Sequence, residues 1–132
     1  MNDMDPINET LTRWHKIVET RAASILGNIL AEEVVFHCPV LHTPQVGKAL
    51  TSMYLTAAVQ VLANSSFQYV REVASGHHAA LEFTSTIGEI QINGIDLIEC
   101  DDDGQIVDFK VMLRPLKAVN LVHEMMRQML GR

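Results

Sequence analysis

Segregated helices and strands predict an α+β fold, and three observations carry that reading. Apolar residues recur at helical spacing near both ends, through Ile7, Leu11, Trp14, Val18, Ala22 and Ile25 and again through Leu116, Val119, Val122 and Met126. Between Phe67 and Arg114 the period falls to two, the signature of half-buried strands. The connections in that middle stretch are short and marked by Gly76, Gly88 and Gly104, so the strands read as an antiparallel meander with helices on one face.

The elements follow in order. Asp5-Pro6 opens a helix, since Asp caps and Pro is tolerated at the first helical position. The spacing predicts about five turns, ending near Gly27. Val34–Cys38 reads as a first strand stopped by Pro39, and Pro39–Gly47 as a loop with two prolines. Lys48–Ala63 is a second helix, with Leu50, Met53, Tyr54, Ala57, Ala58, Val61 and Leu62 as its buried stripe. Strands are predicted at Phe67–Ser75 and His78–Ile87. Asp101-Asp102-Asp103-Gly104 is a strong turn, because Asp bonds its own backbone and Gly takes a positive φ without steric cost. The strands on either side span Asn93–Cys100 and Gln105–Arg114, and Leu116–Leu130 returns to helix.

The chain has 132 residues, 48% of them hydrophobic, which suffices for a real core and excludes a disordered chain. It reads as one domain over residues 1–132. A net charge of −6 without any Lys/Arg run argues against nucleic acid. No apolar run is long enough for a bilayer, and the acidic, polar start does not read as a signal peptide, so a cytoplasmic protein is expected. Cys38 and Cys100 form no CxxC and are expected to be free thiols.

This order of elements resembles the nuclear-transport-factor-2-like superfamily, which includes ketosteroid isomerase and the SnoaL-like polyketide cyclases. The resemblance runs from about Leu11 to Leu113. It rests on AEEVVFHCPVLHTPQVGKAL, similar to the family's acidic-pair, strand, proline, loop and Gly-basic run, and on NGIDLIECDDDGQIVDFKVML, similar to its central hairpin. It implies a cone-like fold: a strongly curved mixed β-sheet wrapped around a pocket, with N-terminal helices helping to close it. The C-terminal helix is an addition that the resemblance does not explain. A homodimer through the sheet's outer face is implied as well. So is a small apolar ligand with one polar group, handled by cofactor-independent isomerase, cyclase or hydrolase chemistry. Because this superfold hosts many unrelated activities, a non-catalytic ligand-binding or interaction domain stands as the alternative.

The resemblance to ketosteroid isomerase extends to individual positions. That enzyme uses an Asp base just before a Pro and pairs a helix-one Tyr with a protonated Asp as its oxyanion hole. Asp96 falls on the position of the protonated Asp, Cys38 on that of the base, and Trp14 at about that of the Tyr. The base is therefore replaced, and isomerase activity is not carried over. The implied pocket is lined by Trp14, Cys38 and Asp96. Phe36, Tyr54, Leu81, Phe83, Ile98 and Met112 are further ligand-binding candidates.

Two readings stand for each chemical candidate. Asp96, sunk among apolar neighbours, would have its pKa raised and act as an acid or hydrogen-bond donor; otherwise it is a structural carboxylate. Cys38 is either an activated thiol or an inert buried one. His42, on the loop after the first strand, is a candidate base near neutral pH. His37, His42 and Asp96 match no metal-ligand spacing, so no metal site is assigned.

Overall fold

The computed structural model describes residues 4–131. Helix α1 spans Pro6–Thr20 and buries Ile7, Thr10, Leu11, Trp14 and Ile17. It is shorter than its apolar spacing predicts. Arg21 turns left-handed at φ 56°, which ends the helix, and Ala23–Asn28 continues as a 3₁₀ turn that leaves Ile25 exposed. Asp5 does not cap α1 with its side chain. Its Oδ2 instead accepts the Gly76 N–H at 2.9 Å, tying the helix start to a strand turn.

Strand β1 (Leu30–His37) is followed by a two-residue strand β2 (Gln45–Val46), then by helix α2 (Lys48–Leu62). Strands β3 (Gln68–Ser75), β4 (His78–Ile87), β5 (Ile90–Cys100) and β6 (Ile106–Arg114) come next, and helix α3 (Leu116–Leu130) closes the order. The sheet runs β2-β1-β6-β5-β4-β3. Strands β3 to β6 form the expected meander, while β1 lies parallel to β6 and makes the sheet mixed.

The expected cone does not form. β2 and β3 are the two edges of an open sheet, so it is neither closed nor strongly curved around a pocket. Closure needs edge strands that pair, and β2 is two residues long and pairs only with β1. The face under α1 and α2 is filled instead. Phe36, Phe83, Phe109, Leu81 and Ile98 project there, with the α1 and α2 stripes packed onto them. Helix α3 packs on α2 and β6, burying Ala118, Val122 and Met126.

The β5–β6 turn is held as its sequence demands. Asp101 Oδ1 accepts the N–H groups of Asp103 and Gln105, both at 2.9 Å, and Gly104 takes φ 79°. The Thr10 hydroxyl reaches from α1 to donate to the Gly104 carbonyl at 2.6 Å in a buried setting. Thr10→Val keeps the shape and leaves that carbonyl without its side-chain donor. It is expected to lower unfolding stability by about 1–2 kcal/mol in urea titrations.

Candidate functional site

Asp96 is central in β5, facing Leu81 of β4 on one side and Val111 of β6 on the other. Alternation turns its side chain to the helix-covered face, where it is buried. There it ends a short hydrogen-bond chain. Trp14 Nε1 of α1 donates to the Tyr69 hydroxyl at 2.8 Å, and that hydroxyl donates to Asp96 Oδ2 at 2.7 Å. Burial raises the Asp96 pKa to about 7, with the Tyr69 bond pulling the other way. Burial, and then the neighbouring carboxylate, pushes the Tyr69 hydroxyl well above the usual tyrosine range. Near neutrality Asp96 is therefore the group of this chain that gains or loses a proton, while the Tyr69 hydroxyl keeps its own.

Tyr69 is absent from the residues that the sequence singled out. Strict alternation from Phe67 would give Tyr69 the same face as Arg71 and Val73, which are exposed. The ladder slips between Tyr69 and Arg71, so Val70 is a bulge: Tyr69 pairs with Phe83 on the covered face, and Arg71 pairs with Glu82 on the outer one. The available signal is the pair Phe67 and Tyr69, two aromatics two residues apart beside a turn.

A void of about 30 Å³ lies against this chain, lined by Trp14, Tyr69 and Asp96 together with Phe67, Phe83 and Val18 among others. It has room for about one water or one ligand oxygen. Outside it runs an open groove of about 590 Å³, which shares Val18, Ala63, Phe67 and Tyr69 with the void. His15, Glu19 and Arg21 from the end of α1 line the groove, with Asn64 and Gln68 across from them. Phe67 stands at the junction, stacked on Phe83 at 5.0 Å and edge-on to Tyr69 at 5.0 Å.

The structure thus brings Trp14, Phe83 and Asp96 together on one cavity and adds Tyr69. Leu81 and Ile98 flank Asp96 on the same face, in the packed core. Phe36 of β1 and Tyr54 of α2 lie against each other at 6.2 Å, and Phe36 touches Phe109 at 6.1 Å; neither lines the void. Cys38 is buried at the end of β1, its Sγ accepting the Val40 N–H at 3.4 Å, and it does not line the void. His42 is exposed on the loop between β1 and β2. Met112 is about half exposed on the opposite face of the sheet, in a groove with Glu82, Asn93 and Ile95. His37 also faces outward and pairs with Asp108 at 3.0 Å. Among the described residues, no group of three or more His, Cys, Asp or Glu side chains is arranged to hold a metal ion.

An open mixed sheet with a buried carboxyl under its first helix defines a class: α+β proteins with a cavity between helix and sheet. Residues 11–109 match the SnoaL-like domain, and the chain belongs to that family within the nuclear-transport-factor-2-like superfamily. A steroid delta-isomerase from Pseudomonas aeruginosa is similar in structure at 38% identity, with 96% of this chain and 92% of that one covered and a TM-score of 0.90. An uncharacterised bacterial protein with a cystatin-like fold from Silicibacter pomeroyi is 33% identical over 90% of this chain and 83% of that one, with a TM-score of 0.83. An NTF2-like protein from Mesorhizobium loti shares the fold at 16% identity and a TM-score of 0.74, with 87% of this chain and 97% of that one covered. No curated protein is a match for this chain by sequence.

Proposed function

We propose that this chain is a cytoplasmic, single-domain protein that binds a small apolar molecule through one oxygen and acts on it by acid–base chemistry of the isomerase kind, without a cofactor. The observation that carries this reading is the Trp14–Tyr69–Asp96 chain ending at a void open to a groove. The 30 Å³ void suits the oxygen alone, and the 590 Å³ groove is in the range that holds a drug-sized body. With its pKa near 7, Asp96 is readily neutral in the folded protein. A protonated Asp96 and the Trp14 N–H can then both donate to the Tyr69 oxygen, which leaves the Tyr69 O–H free for a ligand carbonyl. Such a donor, fixed in a water-poor site, stabilises charge developing on that oxygen. Trp14 departs from the helix-one Tyr of ketosteroid isomerase, and in this reading Tyr69 of β3 supplies the hydroxyl. The likeness to a steroid delta-isomerase at 38% identity supports a carbonyl ligand of steroid type.

A homodimer is part of the proposal. On the outer face of the sheet Val73 is 64% and Met112 48% exposed, with Leu97 and Ile95 half-buried between them. An apolar strip of this kind, rimmed by the Arg71–Glu82 and His37–Asp108 pairs, suits a second copy of the chain. Cys38 at the base position favours a second reading, a domain that binds the ligand without turning it over.

Titration with a β,γ-unsaturated ketosteroid tests the binding reading. Tyr69→Phe removes the donor and is expected to weaken binding about tenfold, a single neutral hydrogen bond. Absence of binding to the parent protein, or equal affinity in Tyr69→Phe, would refute it.

A further inference from the structure

Residues that neither the fold nor the hydrogen-bond chain at Asp96 requires stand at the mouth of the same cavity. His15 follows Trp14 on α1, so the Trp side chain enters the interior while the His side chain lies along the groove. Its Nε2 is 2.7 Å from Glu72 Oε1 on β3, and its ring meets the Tyr69 ring edge-on at 5.2 Å and 71°. Glu72 reaches this position because the bulge at Val70 shifts the strand by one residue. Without the slip, Glu72 would face the other side of the sheet. The carboxylate sits at ion-pair distance from Nε2 and holds the ring at the mouth of the groove, with Nδ1 on the other side of the ring. Among the described residues no hydrogen bond is made to Nδ1. Both side chains are about one-third exposed, 31% for His15 and 39% for Glu72, so a ligand in the groove can reach the imidazole. The other charged groups lining the groove are Glu19 and Arg21, and Arg21 is held away by Gln60, to whose carbonyl and side-chain oxygens it donates at 2.8 and 3.0 Å.

We propose that His15, oriented by Glu72, is the general base of this site, acting on a carbon next to the ligand carbonyl whose oxygen Tyr69 holds. This rests on the binding reading above and names the group that replaces the base missing at Cys38. The step is a proton transfer. The C–H bond breaks, its proton moves to the imidazole nitrogen, and the electron pair shifts into the carbonyl to form an enolate whose oxygen accepts from Tyr69. The imidazolium then returns the proton, to the same carbon or to the far end of a conjugated enolate, and the latter moves the double bond. A base placed this way contributes two to four orders of magnitude.

The test separates binding from proton transfer. Deuterium uptake from heavy water into the β,γ-unsaturated ketosteroid is followed by mass spectrometry, and affinity is measured on the same samples. The parent protein is expected to exchange well above the buffer rate. His15→Gln is expected to slow exchange about a hundredfold while affinity stays within about twofold, and Glu72→Gln to slow it about tenfold. Exchange in His15→Gln at the parent rate overturns the proposal, as does a loss of exchange that merely tracks a loss of binding. Binding without exchange in the parent protein overturns the base and leaves the binding reading standing. Failure of the parent protein to bind overturns both.

Discussion

Asp96→Asn is expected to be more stable than the parent protein at pH 8, by up to about 4 kcal/mol, and nearly equal to it at pH 4. The sign follows from proton binding. In the unfolded chain Asp96 ionises at its ordinary value of 3.8, and in the folded protein at about 7. Between those values the native state holds a proton that the unfolded state has released. Unfolding free energy therefore falls as pH rises through this window and levels off above it. The contribution is fully present below pH 3.8 and gone above about 7. Each pKa unit is worth about 1.4 kcal/mol, which sets the size of the difference. Asparagine carries no charge at any of these pH values, and its side-chain oxygen can still accept from Tyr69. Urea unfolding of both proteins from acid to pH 8 checks this: two curves that run parallel would show that Asp96 ionises normally when folded. Carboxyl-carbon NMR of the parent protein, with the variant to assign the signal, reads the same pKa directly.

That carboxyl was legible from sequence because its setting is local. The run Asn93–Cys100 alternates and puts the acid on the face of Ile98, which left a solvated face or a pocket open, and the helices packed over that face decide for the pocket. Trp14 was legible for the same reason, from helical spacing alone. Tyr69, His15 and Glu72 were not, because their meeting depends on a single bulge at Val70 that no alternation pattern announces. The end of α1 was misplaced for a similar reason: apolar spacing continues through Ala22 and Ile25, while the backbone reverses at Arg21, a residue with no special turn preference. The short connections of β3–β6 made the meander readable, but the partner of β1 was open. It pairs parallel to β6 across most of the chain, and nothing in its own residues specifies that neighbour. The shape of the sheet is harder still, since it depends on whether two distant edges meet, and β2 is too short to show itself as a strand.

Gly94→Ala is expected to cost about 3 kcal/mol and to disturb the site through Phe83 on the neighbouring strand. Gly94 sits between Phe83 of β4 and Leu113 of β6 in the register of the sheet. A methyl group there would overlap the Phe83 ring, approach Leu113 Cδ2 to 2.8 Å and meet the Met112 carbonyl oxygen at 2.9 Å. The carbonyl is backbone in a paired strand and cannot move aside, so the ring must. Phe83 is fully buried, and it supports both Phe67 and Tyr69. Displacing it pushes on the hydroxyl that bridges Trp14 and Asp96. Trp14 is the only tryptophan in the chain, so its fluorescence reports that change directly. Phe83→Leu removes the obstructing ring edge and leaves the Met112 carbonyl contact in place. The double variant should therefore be less destabilised than the sum of the two single ones, by about 1 kcal/mol or more, as coupled neighbours are. Strict additivity, with Trp14 emission unchanged in Gly94→Ala, would mean that the glycine serves the strand and not the aromatic stack beneath it.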